Sequence, residues 1–477
     1  MQPVDAQQGP APETSGRQRE YAALVRELLP ARLGRQPLVY VRTYGCQGNE
    51  ADGERMQGML QEMGFAFCGD AAGADLVLLN TCAIREHAEV RVFGNVGRLK
   101  TQRQADKDMR IALCGCMVQQ AHVAKKLRAH YPFVDLIFGT HAVPRLPELL
   151  YRLYTTERRV IDIAGEPSIA EGLPVRRESG FKAWLPVMYG CDNFCSYCVV
   201  PLVRGRERSR TPTAILDEAR ELAAAGYREI TLLGQNVNSY QSEGWDFPHL
   251  LRELDKLDGD FLLRFMTSHP KDCGKALLDA MAGGTHIARH LHLPVQSGCD
   301  RVLHEMNRKY TSEQYLEVVR YARQVMPGLS LTGDVIVGFP GETYGEFRET
   351  LALVEQARYT SLFTFIFSPR EGTRAASMPD PISHEEKVRW FQELTALQEG
   401  VAAERCAAMV GQTERVLCEG KGKRLGLAGR TQGNQIIEFD GPEDLTGQFV
   451  AIKITKAKNW LLDGEIEGDT PCKTSNN

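Results

Sequence analysis

Short apolar runs and amphipathic segments alternate in the first third of the chain. The runs at residues 38–42, 76–79 and 111–113 are rich in Val, Ile and Leu, as buried strands are. Helical periodicity follows each of them, at about residues 52–63, 84–103 and 118–129. This alternation predicts a parallel α/β sheet domain over residues 36–154, with ligand sites at the carboxyl ends of its strands.

The same alternation returns over residues 181–408. Strand-like runs lie at residues 184–189, 229–233, 261–267, 290–293, 331–337 and 361–367. Helical patterns separate them, for example at residues 213–225, 247–257 and 312–325. Six β/α repeats predict a partial barrel with its active-site groups at the carboxyl ends of the strands.

A different pattern occupies residues 409–472. Five short β-like runs surround Gly-rich turns, at residues 414–418, 426–430, 435–439, 449–454 and 461–465. They predict a small antiparallel β-barrel. The predicted fold class is therefore α/β for the first two domains, followed by a small β-barrel. Residues 1–35 are predicted to be a polar leader with a helix at about 19–29, and residues 155–180 a linker.

Composition excludes some classes of protein. The 477 residues are 43% hydrophobic and 25% charged with a net charge of −4, which is typical of a globular protein rather than a disordered one. The sequence contains no run of about 20 apolar residues that would span a bilayer. The first residues also lack the apolar stretch of a secretory signal, so a cytoplasmic location is expected.

Three of the thirteen cysteines form a C-x3-C-x2-C motif, Cys191, Cys195 and Cys198. Three thiolates at this spacing can hold an iron–sulfur cubane and leave one iron without a protein ligand. A structural zinc site would need a fourth ligand, and the motif has no adjacent Cys or His to supply one. The spacing resembles the signature of radical S-adenosylmethionine enzymes.

A second trio is dispersed over the predicted parallel sheet. Cys46, Cys82 and Cys116 each lie just past the end of a predicted strand, so three loops can bring three thiolates to one point. Cys114 competes with Cys116, but we expect its side chain to point back toward the sheet. Cys68, Cys273, Cys406 and Cys418 are interpreted as ordinary packed cysteines.

Longer strings match one family. Thr43-Tyr-Gly-Cys-Gln, Asn80-Thr-Cys-Ala-Ile-Arg-Glu and Gly115-Cys-Met, together with the Cys191 motif and the small barrel, resemble the methylthiotransferase family of radical S-adenosylmethionine enzymes. The resemblance covers residues 36–470, and the small barrel resembles a TRAM domain. Leu233-Gly-Gln-Asn-Val-Asn-Ser-Tyr, Arg204-Gly-Arg-Glu-Arg-Ser-Arg and Arg308-Lys-Tyr-Thr match the branch that acts on isopentenylated adenosine. Departures at Leu202-Val203 and Gly333 remove no cysteine.

The resemblance implies an enzyme with two 4Fe–4S clusters. One, on the Cys191 motif, would bind S-adenosylmethionine as a radical source, and the other, on Cys46, Cys82 and Cys116, would carry the sulfur. The implied reaction is methylthiolation of C2 of N6-isopentenyladenosine at position 37 of tRNA, next to the anticodon, with S-adenosylmethionine also donating the methyl group. An aromatic C–H bond offers no acidic proton, which is why radical chemistry is needed.

Polar groups after the predicted barrel strands are candidates for binding the cofactor. They are Gly234, Gln235, Asn236, Ser268, His269, Gln296 and Asp334. Strand-to-helix turns explain the first three equally well, and a buried histidine is often only structural. The Gly338-Phe-Pro-Gly341-Glu342 turn permits a close backbone approach to a ligand.

Basic residues are candidates for contacting RNA phosphates. They are Arg204, Arg206, Arg208, Lys421, Lys423, Arg424 and Arg430. A solvated charged rim or internal salt bridges are the alternative interpretation. The implied partners are the anticodon stem-loop of tRNA, an electron donor of flavodoxin or ferredoxin type, and an unidentified sulfur donor. Three other functions stay open: methylthiolation of threonylcarbamoyladenosine in tRNA, methylthiolation of a ribosomal-protein aspartate, and a non-enzymatic iron–sulfur protein that binds RNA or transfers electrons.

Overall fold

The amino-terminal sheet has six parallel strands in the order β2-β1-β3-β4-β5-β6. In this computed structural model, residues 12–83, 86–165, 169 and 171–468 are described. The strands are β1 (Leu38–Thr43), β2 (Ala66–Phe67), β3 (Leu76–Thr81), β4 (Arg110–Gly115), β5 (Leu136–Phe138) and β6 (Val160–Asp162). The helices are α1 (Pro12–Leu33), α2 (Gln47–Glu62), α3 (Glu86–Ala105), α4 (Ala121–His130) and α5 (Leu146–Thr156). This sheet confirms the predicted parallel α/β architecture.

Helices cover both faces of this sheet. Leu76 and Leu78 of β3 pack into a cluster with α1, α2 and α5, whereas Val77 and Leu79 pack into a second cluster with α3 and α4. Strands that are buried on both faces have apolar side chains at consecutive positions. This burial explains why β3 and β4 were recognisable as short apolar runs.

The polar leader contains more structure than we predicted. Helix α1 spans Pro12–Leu33 and places Ala22, Val25 and Leu29 in the core of the amino-terminal unit, next to α5. These residues are three and four positions apart, so they share one face of the helix. The predicted helix is therefore present and longer than expected, and three apolar side chains dock this otherwise polar segment on the core.

The middle of the chain forms the predicted partial barrel. Its strands are β7 (Lys182–Pro186), β8 (Met188–Tyr189), β9 (Arg208–Ser209), β10 (Glu229–Leu233), β11 (Gln241–Ser242), β12 (Trp245–Asp246), β13 (Leu262–Met266), β14 (His290–His292), β15 (Ser330–Val337) and β16 (Ser361–Ile366). The helices in this stretch of the chain are α6 (Val200–Arg204), α7 (Pro212–Ala224), α8 (Phe247–Asp255), α9 (Lys275–Gly283), α10 (Asp300–Glu305), α11 (Ser312–Val325), α12 (Tyr344–Ala357) and α13 (His384–Ala407). Two parallel sheets, β13-β10-β7 and β14-β15-β16, contain the six predicted strands. The run at 184–189 is two elements, β7 and β8, rather than one.

The two faces of the barrel strands differ in polarity. Ile230, Leu263 and Leu331 belong to the large apolar core that the helices cover. The alternate positions, such as Arg264 and Thr332, are polar and buried. Because side chains alternate along a strand, the second set faces the interior of the partial barrel.

The carboxyl-terminal domain is a closed five-stranded barrel in the order β17-β18-β19-β21-β20. Its strands are β17 (Thr413–Lys421), β18 (Leu427–Thr431), β19 (Ile436–Phe439), β20 (Phe449–Lys458) and β21 (Leu461–Ile466). The predicted barrel is confirmed, but not as wholly antiparallel, because β19 and β21 pair in parallel. Strand β21 lies between β19 and β20, and closing the barrel in this order makes one pair parallel.

The small barrel contacts the amino ends of the partial-barrel strands. Leu262 at the start of β13 shares an apolar cluster with Leu417 and Phe449 of the small barrel. Lys182 at the start of β7 pairs with Glu419, with 2.6 Å between nitrogen and oxygen. An active site is expected at the carboxyl ends of the partial-barrel strands. The small barrel therefore lies at the opposite end of the partial barrel from that site.

The chain divides into two compact units. The first unit ends at Glu178 and also contains Tyr189–Asp192 and Val199–Arg210, and the second contains the rest of the barrel stretch and the small barrel. Helix α6, which we predicted to belong to the barrel core, packs Val199 and Val203 against Ala83 and Cys116 of the first unit. No helix in the described ranges combines the length and hydropathy that a membrane crossing requires.

Candidate functional site

Three loops of the first unit bring the dispersed cysteines together. Cys46 precedes α2, Cys82 follows β3 and Cys116 follows β4, and their strands β1, β3 and β4 are neighbours in the sheet. The side chains of Cys46 and Cys82 are hydrogen-bonded, and the charges of Cys46 and Cys116 interact. Gly45 allows this approach, because a Cβ there would lie 2.4 Å from the Cβ of Cys82 at a φ of +117°.

Electrostatics differ among these thiols. The hydrogen bond with Cys82 lowers the pKa of Cys46 to about 5, which favours the thiolate that binds iron. Burial raises the pKa of Cys116, and the charge of Arg204 opposes that rise. Cys114 lies in the apolar core with its Sγ 3.6 Å from the Sδ of Met56, and burial raises its pKa well above the usual range. This placement supports Cys116 rather than Cys114 as the third ligand of the trio.

A buried arginine lies beside the trio. Arg204 Nε donates to the Sγ of Cys116 at 3.2 Å, and Nη2 donates to Asn49 Oδ1 and Asp52 Oδ2, each at 2.8 Å. Arg204 was a candidate for binding RNA phosphates, and the structure contradicts that prediction because the side chain is buried and its Nε and Nη2 donate to groups inside the protein. A charge pattern in the sequence cannot show whether a basic residue faces solvent.

No three His, Cys, Asp or Glu side chains in the described part of the chain are grouped closely enough to hold a single metal ion. A cubane distributes its thiolates over different irons, so its ligands are farther apart than those of one ion. The cysteine loops therefore match a cluster better than a single ion. Three thiols from one sheet edge, a lowered pKa and a guanidinium on one sulfur suit an anionic cluster.

The Cys191 motif is shaped by tight backbone turns. The amide of Cys191 donates to the carbonyl of Gly205 at 3.2 Å. Gly190 has a φ of +75°, and a Cβ there would lie 2.0 Å from the carbonyl oxygen of Arg206. The amide of Cys198 donates to the carbonyl of Cys195 at 3.0 Å, which closes a turn between these two cysteines.

Sequence reasoning assigned no role to Arg308, which contacts the motif in the second unit. Its Nη1 donates to the Sγ of Cys195 at 3.4 Å, while Nη2 holds the carbonyl of Pro294 and Nε holds the hydroxyl of Tyr310, each at 2.8 Å. The sequence did contain the Arg308-Lys-Tyr-Thr string, but it was used only as evidence of the family resemblance and not to assign a contact to Arg308. Asn49 and Asp52, on the first turns of α2 after Cys46, were missed in the same way.

Three buried polar atoms after β10 and β13 have no hydrogen-bond partner among the described residues. They are the Oδ1 of Asn236, the Oγ of Ser268 and the Nε2 of His269. Strands β10 and β13 pair in parallel from Glu229 to Leu233, so these atoms lie at one edge of the partial barrel. Burying an unpaired polar atom is unfavourable, so these atoms are suited to a polar ligand at this edge.

His269 is held as a neutral donor at this edge. Burial and the charge of Arg308 lower its pKa to about 2. Its Nδ1 accepts from the amide of Lys271 at 3.2 Å, so the proton of the neutral ring is on Nε2. Asn238 fixes the backbone of His269 by donating to its carbonyl at 3.0 Å and accepting from its amide at 2.9 Å.

The other candidate residues lie on the same barrel. Gly234 and Gln235 follow β10, and a Cβ at Gly234 would lie 2.5 Å from the Cγ of Met188. Gln296, at a φ of +73°, donates its amide to the carbonyl of Asp334 at 2.9 Å. The Oδ1 of Asp334 lies 3.6 Å from the Nε2 of His292 inside the barrel.

Comparisons with known proteins divide the chain into three matched regions. The Uncharacterized protein family UPF0004 matches residues 38–139, the Radical SAM superfamily matches residues 185–354, and the TRAM domain matches residues 407–466. The chain is 47% identical over 433 residues to the tRNA-2-methylthio-N(6)-dimethylallyladenosine synthase of Carboxydothermus hydrogenoformans, covering 90% of this chain and 98% of that protein. It is 43% identical over 465 residues to the enzyme of the same name from Acetivibrio thermocellus, covering 96% and 97%.

The chain belongs to the tRNA-2-methylthio-N(6)-dimethylallyladenosine synthase family. The predicted methylthiotransferase resemblance and the radical S-adenosylmethionine domain are thereby confirmed. Among solved structures, the radical S-adenosylmethionine methyltransferase TsrM from Kitasatospora setae has the same fold, with a TM-score of 0.54 at 16% identity. The match covers 71% of this chain and 75% of that one.

In this member of the synthase family, the TRAM barrel has fewer available charges than its sequence indicates. Lys421 and Lys423 are exposed. Arg424 pairs with Glu438 and Asp463 on its own barrel. The phosphate contact predicted for Arg424 stays a prediction, and it would have to compete with these two ion pairs.

Three other arginines of the basic set also have partners inside the protein. Arg430 lies 3.4 Å from a carboxylate oxygen of Glu419. Arg206 is exposed and pairs with Asp192, with 2.8 Å between nitrogen and oxygen. Burial lowers the pKa of Arg208, which donates to the carbonyl of Arg206 at 2.5 Å. The alternative interpretation, internal salt bridges and a charged rim, therefore applies to part of the basic set.

Proposed function

We propose that this chain adds a methylthio group to C2 of N6-dimethylallyladenosine, also called N6-isopentenyladenosine, at position 37 of tRNA. The observation that carries the proposal is the convergence of Cys46, Cys82 and Cys116 in a chain that also contains a radical S-adenosylmethionine domain. A second cysteine trio is what a sulfur-inserting enzyme needs beyond the radical site. The names of relatives at 43% to 47% identity favour this substrate over threonylcarbamoyladenosine and over a ribosomal protein.

The radical S-adenosylmethionine domain implies a 4Fe–4S cluster and S-adenosylmethionine. We assign that cluster to Cys191, Cys195 and Cys198, and a second 4Fe–4S cluster to the dispersed trio. When bound, the first cluster and S-adenosylmethionine supply the one-electron chemistry that breaks an unactivated aromatic C–H bond. A flavodoxin- or ferredoxin-type protein is the proposed source of the electron.

Side chains of the protein orient the cysteine ligands and offer hydrogen bonds to S-adenosylmethionine. Arg308 fixes the Sγ of Cys195 by its 3.4 Å hydrogen bond. Asn236 and Ser268 offer unpaired oxygens, and neutral His269 offers a proton on Nε2, all at the carboxyl edge of the barrel. These three groups suit the amino, carboxylate and ribose groups of S-adenosylmethionine, with Gly234, Gln235, Gln296 and Asp334 on the same barrel.

The substrate class follows from the TRAM domain and the relatives, which indicate tRNA. The exposed lysines Lys421 and Lys423 are the proposed phosphate contacts on the small barrel. We retain three functional domains, residues 36–154, 181–408 and 409–472. Because the reacting carbon belongs to a base, the substrate adenosine is proposed to be extruded from the anticodon loop.

Iron and sulfide content after anaerobic reconstitution tests the cluster assignment. The intact chain is expected to hold about eight irons, and the Cys46/Cys82/Cys116 triple alanine variant about four, from two cubanes per chain. The matched control is Cys114→Ala, which removes a cysteine two positions from Cys116 and is expected to keep about eight. A triple variant that retains eight irons, or a control that loses four, contradicts the assignment.

Mass spectrometry of tRNA nucleosides tests the reaction. A deletion strain is expected to lose 2-methylthio-N6-dimethylallyladenosine and to regain it with the intact chain but not with the triple variant. If the nucleoside is unchanged in the deletion strain, the proposed substrate is wrong. Anaerobic incubation with S-adenosylmethionine and a reductant should release 5′-deoxyadenosine, and its absence would indicate a non-enzymatic iron–sulfur protein.

A further inference from the structure

Arg204 forms a buried clamp on the sulfur-carrying site of the first unit. It ends helix α6, and its side chain is 7% exposed. One guanidinium nitrogen donates to the Sγ of Cys116 at 3.2 Å, and another to Asn49 and Asp52 at 2.8 Å. The guanidinium therefore bonds directly to one of the three thiols.

Asn49 extends this clamp to the other two cysteine loops. Its Nδ2 donates to the carbonyl of Tyr44 at 2.9 Å and to the carbonyl of Thr81 at 2.8 Å. Tyr44 lies two residues before Cys46, and Thr81 directly precedes Cys82. Because Arg204 holds the Oδ1 of the same amide, one hydrogen-bonded chain joins all three loops.

The charge of Arg204 fits this position. A cluster bound as thiolates by the trio would add negative charge beside Asp52, where Cys82, Cys116 and Asp52 are buried and an uncompensated charge is strongly unfavourable. Hydrogen bonds to cluster sulfurs and nearby positive charge stabilise the reduced form of an iron–sulfur cluster, which carries one more electron. A planar guanidinium supplies both effects with fixed geometry, and a lysine ammonium supplies mainly the charge.

We propose that Arg204 is the positioning residue of the sulfur-carrying cluster, holding Cys116 directly and the loops of Cys46 and Cys82 through Asn49, and raising the cluster's reduction potential by its charge and its N–H···S bond. This inference rests on the proposed function, since it requires a cluster on Cys46, Cys82 and Cys116. Arg204 acts through these residues rather than on the substrate. Its role is thus distinct from the phosphate contact that the sequence predicted.

The test uses the full chain with Cys191, Cys195 and Cys198 replaced by alanine, so that only the sulfur-carrying cluster is reconstituted. Into this parent, Arg204→Met and Arg204→Lys are introduced, and the potential is measured by a redox titration followed by electron paramagnetic resonance. Arg204→Met is expected to shift the potential to more negative values, and Arg204→Lys to restore part of the shift. The matched control is Arg206→Met, an exposed arginine paired with Asp192, which should leave the potential unchanged.

Two results would overturn the inference in different ways. A parent that binds no iron contradicts the proposed function and the inference together. An Arg204→Met variant with about four irons and the parent's potential contradicts the role of Arg204 alone.

A second variant covers the case in which Arg204→Met does not fold. Asp52→Asn combined with Arg204→Met removes both charges of the buried pair, and its fold is checked by far-ultraviolet circular dichroism. The double variant is expected to show a negative shift smaller than that of Arg204→Met, because the loss of the Asp52 charge offsets the loss of the guanidinium charge and the lost N–H···S bond remains. If it folds, binds about four irons and keeps the parent's potential, the inference is wrong.

Discussion

Replacing Arg264 by methionine should destabilise the interface between the partial barrel and the TRAM barrel. The Arg264 side chain is 4% exposed, and it donates to Glu229 at 2.7 Å and to the carbonyls of Thr431 and Gln432 at 2.8 Å each. Methionine fills the volume of the arginine but cannot donate to the two carbonyls. Among the described residues, Glu229 then keeps only Lys182, at 3.3 Å, as a charged partner. Breaking a buried ion pair from one side costs about 3–5 kcal/mol, which is the expected loss.

Hydrogen exchange of the amides in strand β18 is the suitable assay, because a multidomain chain does not unfold in one step. Arg264→Met should increase exchange there, and Glu229→Gln in the same chain should recover part of the loss. The exposed pair Arg220–Asp217 supplies the control, since Arg220→Met is expected to change stability by less than about 1 kcal/mol. The reasoning is refuted if Arg264→Met is no more destabilising than this control.

The same pair predicts a dependence on pH. Burial opposes ionisation of Glu229, but the charges of Arg264 and Lys182 prevail and lower its pKa. A carboxyl whose folded pKa is depressed contributes stability above its unfolded pKa of about 4.3, and loses it as pH falls through the folded value. The advantage of the intact chain over Arg264→Met should therefore be constant near neutral pH and shrink below about pH 4. An advantage that does not change on acidification would contradict this assignment.

Three other predictions concern single positions. Leu29→Ala should destabilise the first unit by about 2–5 kcal/mol, as measured by chemical denaturation. Leu24 is 42% exposed, so the control Leu24→Ala should destabilise the unit by less than about 0.5 kcal/mol. Equal effects of the two variants would mean that α1 is not docked. Gly45→Ala should lose about four irons, because its Cβ would overlap Cys82; full iron content would contradict the close loop approach. Burial raises the pKa of Glu342 to about 7, so ionisation of this carboxyl costs stability as pH rises through that value. Between pH 5 and pH 8, the stability of Glu342→Gln should therefore gain on the order of 2 kcal/mol relative to that of the intact chain. A stability difference that does not change with pH would contradict the raised pKa.

Much of the fold follows from patterns that are local in the sequence. The buried strands β3 and β4 are apolar over residues 76–79 and 111–113, and the barrel strands are followed by recognisable polar groups such as Asn236 and Ser268. Cysteines that follow neighbouring parallel strands are brought to one edge by the sheet itself. For these features, hydrophobic periodicity and the geometry of a parallel sheet were sufficient.

By itself, the sequence determined the order of the elements, the two cysteine trios and the family, since each depends on residue type and spacing along the chain. Only the tertiary structure decided that Arg204 holds Cys116 rather than RNA, that α1 packs on α5, and that β19 pairs in parallel with β21. A run of arginines has the same spacing whether its side chains meet solvent or a buried carboxylate. The direction of the Arg204 side chain is set by partners 88 to 155 residues away, and such contacts exist only after the chain has folded.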